Sequence, residues 1–417
     1  VAAQTQITPQ QAAQAAAQAN ASARAAVLGN SIEALQQIFS QSGINPAQQT
    51  VVNITPRNVG LIRGFYVHVA TVFTTGITTT LTRTTLGPAN LLSLVTFNDL
   101  SNQQRINCAG WYLPMLDSQR RRNQSFSAEL ATGVPGSAAS GTDTPLGFSA
   151  NFTSNFALAA TNTPLMSCPA TIAPSTANNT IDMWYYIPIS YTDRDLRGAI
   201  YAGVVNSVMN LQVTFNNANF QVASTGDPTL AVFSSSGAVN AITAQTWSVE
   251  VYQDFLDQLP FSAQGPILPF ADLSWSYLIN TTFFSGMTAG TDFPVPFPNF
   301  RNIQSVTLVY DNGGSLNTGQ DVNYLSLQSA NYTNIFKVSP AMAAILSRNI
   351  LHMDMPKGLY YFDFRRKPLS TVQYGNLNLI VNPATVTSAL GPSQFLVGFE
   401  QLAMQNQVVG AGSLAGG

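Results

Sequence analysis

Charge is what this sequence has least of. Asp, Glu, Lys and Arg make up 9% of its 417 residues, against about 25% in an average soluble domain. Asn, Gln, Ser and Thr stand in for the missing charge, so the surface is solvated but has little repulsion to hold copies apart. Such a surface suits a chain that is covered by other copies of itself, and equally a low-charge secreted β protein. The formal net charge is −2, which excludes a strong electrostatic hold on nucleic acid. The densest basic spots, Arg120-Arg121-Arg122 and Arg365-Arg366-Lys367, are not interleaved with aromatics as a single-strand groove would be. They are expected in solvated loops or partner-facing patches.

Cysteine and histidine are equally scarce, with two of each: Cys108, Cys168, His68 and His352. Two thiols sixty residues apart make no disulfide framework and are compatible with a reducing compartment. No Cys/His pair has metal-ligand spacing, which argues against zinc. His68 lies mid-strand among apolar neighbours, and a packed or interface role is expected for it. No basic-then-apolar leader is evident, and no run of about 18 apolar residues could span a bilayer.

What is present is β pattern. LIRGFYVHVATVF (61–73) alternates and places Phe65, Val67, Val69 and Phe73 on one face. IDMWYYIPIS (181–190), MNLQVTFN (209–216), TWSVEVY (246–252), NIQSVTLVY (302–310), GLYYFDF (358–364), NLNLIVN (376–382) and QFLVGF (394–399) follow in kind. This spacing means a sandwich or barrel, with about twice the strands of one eight-stranded jelly roll. WYYIPIS followed by MNLQVTFN also resembles LYYFDFR (359–365) followed by NLNLIVN, which suggests an internal duplication testable by strand order. DFPVPFPNF (292–300), with its spaced prolines, reads as a non-sheet connector. Residues 131–180 read as long excursions.

Helix signals are few. Residues 8–42 read as an Ala/Gln-rich arm that starts at Thr8-Pro9. Gly29-Asn30-Ser31 interrupts it, and IEALQQIF continues as a second helix toward Gly43. Its low apolar content makes it a docked arm rather than a core element. Short helices are expected near YTDRDLRGAIY, VYQDFLDQL and SPAMAAILSRNIL. Asp193, Asp195, Asp254 and Asp257 would then sit at helix starts, where carboxylates favour the dipole.

No nucleophile elbow or phosphate loop occurs. The stretch VYDNGGSLNTGQDVNYLS (309–326) lacks the alternating acids and closing Glu of a calcium loop, and the Lys of a phosphate cradle. Asp311 and Asp321 are therefore turn residues, with Asn312-Gly313 suited to positive φ. GAGSLAGG comes near a dinucleotide fingerprint but no helix follows, so it reads as a flexible tail. No catalytic, cofactor-binding or metal residue is assigned, and no enzyme activity is expected.

Long segments of the chain resemble the major capsid protein of tectiviruses, icosahedral bacteriophages with a membrane inside the shell. VEVYQDFLDQLP (249–260), VYDNGGSLNTGQDVNYLSLQSANYTN (309–334) and MPKGLYYFDFRRKPLSTVQYGNLNLIVNPATV (355–386) carry the resemblance. ITPRNVGLIRGFYVHV (54–69), LGPANLLSLVTFND (86–99) and YYIPISYTDRDLRGAI (185–200) add to it. Residues 123–180 have no counterpart in it. The resemblance implies an all-β double jelly roll of the adenovirus-hexon-like lineage, two eight-stranded barrels side by side. The expected divisions are an N-terminal helical arm at 1–48, a first jelly roll at 49–256, a second at 257–401 and a tail at 402–417, with VYQDFLDQLP as the passage between barrels. It also implies a homotrimeric, pseudo-hexagonal capsomer in a virion assembled in the bacterial cytoplasm. Implied partners are neighbouring capsomers, minor capsid and vertex proteins, and the inner membrane near the arm, without direct nucleic-acid contact. With only Arg24 and Glu33 charged, membrane contact by the arm would be shallow. Deleting residues 1–42 is expected to leave trimers but impair shells.

The competing reading is a carbohydrate-binding β-sandwich, in which Trp111, Trp184, Trp247 or Trp275 would stack on sugars. Trp184 and Trp247 lie in apolar strand patterns and are expected in the core.

Overall fold

The computed structural model describes residues 8–76, 80–84, 86–120, 166–167, 171–203, 207–216, 220, 227–235, 242–263, 265–314, 322–330, 334–351, 358–388 and 391–404. Cys168, Arg121, Arg122, His352, Asp321, the tail after 404 and most of the 123–180 stretch lie outside them.

Two barrels with one strand order make up the molecule. The first contains β1 (Ile32–Ile44), β2 (Val51–Ile54), β3 (Leu61–Thr75), β4 (Leu92–Asn98), β5 (Gln104–Cys108), β6 (Asn179–Pro188), β7 (Asn210–Phe215) and β8 (Ile242–Asp257). Its sheets run β1-β8-β3-β6 and β2-β7-β4-β5. The second contains β9 (Trp275–Ser285), β10 (Phe293–Pro296), β11 (Asn302–Asp311), β12 (Val322–Ser329), β13 (Phe336–Val338), β14 (Leu359–Asp363), β15 (Leu377–Pro383) and β16 (Gln394–Met404). Its sheets run β9-β16-β11-β14 and β10-β15-β12-β13, the same order strand for strand.

The duplication read from sequence therefore survives its test. WYYIPIS and LYYFDFR fall on the sixth strand of each barrel, and MNLQVTFN and NLNLIVN on the seventh. A short strand after each sixth strand pairs back to the start of the third: Ile200–Tyr201 to β3 and Leu369–Ser370 to β11. A helix follows each fifth strand, α2 (Tyr112–Arg120) and α3 (Pro340–Leu351). α1 (Pro9–Asn30) precedes the first barrel.

Each barrel is filled by the inward positions of its strands. Phe65, Val67, Val69 and Phe73 are buried on one face of β3 as the alternation predicts, and Trp247 stacks on Phe215 across the first core. Val306, Leu308, Tyr310, Phe395, Val397 and Phe399 fill the second.

Four local expectations need correction. Residues 32–44 form an edge strand against β8, not a helix, with register shifts between Gln37 and Phe39 and between Gln41 and Ile44. Ile32 and Leu35 lie on opposite faces of this edge strand, both exposed, and the bulge after Gln37 interrupts the two-residue alternation, so Ile32, Leu35, Ile38 and Phe39 stand at helix-like spacing. The arm is thus α1 alone. VYQDFLDQL runs as β8 through Asp257, where its buried polar residues find partners within the chain. Gln253 accepts from Arg57 N–H at 2.9 Å and donates to Arg57 O at 3.0 Å, while Asp254 pairs with Arg63 at 2.8 Å. YTDRDLRGAIY is a sequence of turns. Thr192 Oγ1 accepts from Asp195 N–H at 2.9 Å, Asp195 grips Arg197 at 2.6 Å, and Gly198 has φ +89°. None of the four aspartates starts a helix. Finally, Phe293–Pro296 pairs with β15 at a sheet edge, where proline's missing N–H is tolerated. SPAMAAILSRNIL is helical, as expected.

α1 starts with a reciprocal cap. Thr8 Oγ1 accepts from Gln11 N–H at 3.3 Å, and Gln11 Oε1 accepts from Thr8 N–H at 3.0 Å. Val27 is its one buried residue. Polar contacts hold it to the short helix Phe270–Leu273: Asn20 and Arg24 donate to Asp272 at 2.9 and 3.3 Å.

Candidate functional site

The barrels meet by merging sheets. β5 of the first runs parallel to β9 of the second, with Ile106 opposite Ile279 and Asn107 opposite Asn280. The outer face of the β9-β16-β11-β14 sheet is then packed into the first barrel. Ile279, Val309, Leu359 and Leu396 join the first barrel's apolar cluster rather than the second's. Consequently β11 is buried at every position but its first, and β16 at every position but its last.

α2 lies in this seam. Tyr112 covers Gly398, where a side chain would collide with the tyrosine ring, and Gln119 Oε1 accepts from Thr307 Oγ1 at 3.1 Å. Below it Glu400, fully buried, accepts from Tyr277 Oη at 2.8 Å, Ser305 Oγ at 2.6 Å and Arg365 Nη2 at 2.8 Å. Burial, the largest single influence, would lower the Arg365 pKa, but the charge and hydrogen bond of Glu400 together with the nearby Tyr361 and Asp363 outweigh it and hold the guanidinium well above its ordinary value. Arg365 is thus a seam residue, while Arg366 and Lys367 are exposed.

A second polar cluster closes the far end. Asp311 Oδ2 accepts from Thr229 Oγ1 at 3.0 Å and Gln394 Nε2 at 2.9 Å, and Gly314 N–H donates to Oδ1 at 2.8 Å. Asp227 of the first barrel shares both Thr229 and Gln394 with it. Burial, then the hydrogen bond and charge of Asp227, push the Asp311 carboxyl up to about 7. The stretch singled out as a turn thus also carries an inter-barrel contact. Asn312 and Gly313 do turn the chain, Gly313 at φ +68°. Arg105, buried in β5, pairs with Asp99 of the preceding turn at 2.6 Å and donates to Gly198 O at 2.6 Å.

The equivalent outer face of the first barrel is only half-buried. Strand register aligns the row Trp184–His68–Glu250 with Leu359–Val309–Leu396, and Tyr186–Tyr66–Tyr252 with Tyr361–Thr307–Gly398. His68 stacks on Trp184 at 4.5 Å, with Asp182 and Glu250 at 3.2 and 3.7 Å from its ring nitrogens. All five aromatic or imidazole side chains of this face are half-buried. His68 is therefore a surface residue, and Trp184 is on the outer face and not in the core.

Trp111 and Trp247 are buried and offer no stacking face to a sugar, while Trp275 packs half-buried against the first core. Cys108 is buried, and burial pushes its thiol far up, away from reactivity. Among the described residues no group of three or more His, Cys, Asp or Glu could hold a metal, and no helix is long and apolar enough to cross a membrane.

Sequence reading missed Glu400, Asp227 and the seam role of Arg365. One signal was available: Glu400 is a lone acid after the apolar run QFLVGF, and a buried carboxylate needs a cation and hydrogen bonds.

Comparison with known proteins agrees with this architecture. The family pattern described as P3 major capsid protein N-terminal matches residues 2–259, and that described as P3 major capsid protein C-terminal matches residues 274–416. Major capsid protein P3 of Enterobacteria phage PRD1 is 35% identical over 416 residues, covering 98% of each chain. The atomic structure of Sulfolobus Turreted Icosahedral Virus contains a chain matching at TM-score 0.57 and 10% identity, over 89% of this chain and 91% of that one. A PBCV-1 virus capsid chain matches at TM-score 0.54 and 11% identity, over 89% and 94%. At such identities the structural matches establish the double jelly-roll fold.

Proposed function

The chain belongs to the P3 major capsid protein family, a virion component that associates with copies of itself in a shell, and from that premise we propose how it tiles that shell. Three copies form a pseudo-hexagonal capsomer, and the capsomers cover the facets of an icosahedral phage particle that encloses a membrane. Its work is assembly and not catalysis.

The observation that carries this reading is the matched strand order of the two barrels and their merged sheet. A subunit with two like barrels side by side presents a repeated profile. Three such subunits place six barrels in a ring and approximate sixfold symmetry with one gene product. The units of assembly are the α1 arm, the two barrels and the segment beyond residue 404. α1 is held mostly by polar contacts to the Phe270–Leu273 helix between the barrels and by one buried valine, so it is free to change neighbours between capsomer positions and to face the membrane side. Its Arg24 is engaged by Asp272, which leaves little charge for lipid. Minor capsid and vertex proteins would complete the shell, with no direct contact to the genome.

Light scattering coupled to size exclusion tests the capsomer. A species near three times 44.6 kDa is expected, and a persistent monomer would sink the proposal. The arm is tested by deleting residues 1–30, because a deletion through 42 would also remove most of β1. Trimers that fail to form shells are expected, and normal shells from that deletion would refute the role of α1.

A further inference from the structure

Two surfaces of this chain are counterparts of surfaces that the chain buries against itself, yet both are left partly exposed. The first is the outer β1-β8-β3-β6 face with its edge strand β1. The second is the edge strand β13 together with α3. In the second barrel the face corresponding to the first surface is covered, and in the first barrel the elements corresponding to the second surface, β5 and α2, do the covering.

Register places individual residues in correspondence. Glu400 pairs with Ser305 and Ile279, and Asp254 pairs with Gly64 and Leu35. Leu35 therefore stands where Ile279 stands, and Gln36 where Asn280 stands. Ile279 is buried against Ile106 at the barrel junction, but Leu35 is 60% exposed. Ile32 on the same edge is 52% exposed. An edge strand with apolar side chains and free backbone groups is a site for pairing with another chain.

The helices show the same contrast. α2 touches the second barrel through Tyr112 and Gln119, seven residues apart. α3 turns Ala343 and Ser347 inward, where Ser347 Oγ donates to Ala343 O and Tyr361 O. Its Met342 and Asn349, again seven apart, are exposed, and Ile345 between them is 52% exposed. An apolar stripe on one helix and a half-buried aromatic face on the opposite flank of the molecule are complementary in kind.

We propose that β13 of one copy, with residues 334–338, lies parallel to β1 of a second copy, and that Met342 and Ile345 of α3 seat on the second copy's Tyr66, His68, Trp184 and Tyr252. The contact repeats between chains the junction that joins the two barrels within a chain. It is head-to-tail, so it closes a ring or runs on according to the rotation per step. The proposal rests on the three-copy capsomer and names its seam.

The test is disulfide trapping in the full chain. Gln36→Cys is combined with Ile335→Cys and, separately, with Lys337→Cys, the two outward positions that bracket the register. Under mild oxidant at least one pair should give covalent dimers and trimers on a non-reducing gel, beyond any seen with the parent or the single variants. Ile345→Asp should weaken assembly by about tenfold or more while leaving the unfolding temperature of the dissociated chain unchanged, since the side chain is exposed. If the parent is a trimer by mass, yet neither pair cross-links and Ile345→Asp assembles normally, the seam lies elsewhere and the three-copy reading stands. A parent chain that stays monomeric would overturn both.

Discussion

At register-equivalent positions of their eighth strands the two barrels carry an acid, Asp254 in β8 and Glu400 in β16, and the two acids are treated differently. Asp254 pairs with Arg63 from the neighbouring strand, and that arginine also reaches the exposed Glu33. Glu400 has no exposure at all and is held by Arg365, Tyr277 and Ser305 together. The cause is the neighbour. The first barrel covers Glu400 with protein, so every lone pair needs a donor from the chain, while Asp254 lies on a sheet whose outer face meets solvent in the isolated chain. The same asymmetry separates Gly398, which admits Tyr112, from Tyr252, which fills the equivalent place.

Removing the acids should widen the contrast most. Glu400→Ala strands Arg365 in the seam, and a loss of about 3–5 kcal/mol is expected by chemical denaturation. Asp254→Ala leaves Arg63 its Glu33 partner and should cost less, on the order of 1–3 kcal/mol. Equal losses would mean that burial by the first barrel does not set the value of the acid.

Packing gives the next effect. Gly398→Ala pushes a methyl into the Tyr112 ring, with an expected loss of about 1–3 kcal/mol. Tyr252→Ala on the open face should change the stability of the dissociated chain by less than about 1 kcal/mol. Thermal unfolding of both variants decides this, and a neutral Gly398→Ala would show that α2 yields easily.

A last contrast concerns pH. Asp311 titrates near 7 in the folded chain, against 3.8 as its ordinary value. Between those values the folded chain keeps a proton that the unfolded chain has lost, so stability falls as pH rises through the window and levels off above 7. Asp311→Asn keeps the acceptor oxygen and removes the titration. Its unfolding temperature should decline less than the parent's between pH 5 and 8. Parallel declines would acquit Asp311.

Much of this was legible before the structure. The alternation in LIRGFYVHVATVF placed its core face correctly, because burial of one sheet face imposes a period of two. The echo between WYYIPIS and LYYFDFR fell on equivalent strands. IEALQQIF was misread because Ile32 and Leu35 fall on opposite faces of an edge strand and a bulge follows Gln37, and because pairing with β8 outweighs the helix propensity of Ala, Leu and Gln. VYQDFLDQL was misread because its polar residues are satisfied by partners within the chain instead of by water. Trp184 was misplaced because an apolar strand does not show which of its faces is inward when the outer face is also aromatic.

By itself the sequence determined the β class, the doubling, the capped α1 and the shortage of charge, all of which follow from local pattern and composition. The tertiary structure decided which of two like faces is covered, and with it the setting of Glu400, Arg365, Asp311 and Trp184. The physical reason is that burial depends on what lies across the sheet. Here that neighbour is about 100 to 300 residues away along the chain, beyond the reach of any local period.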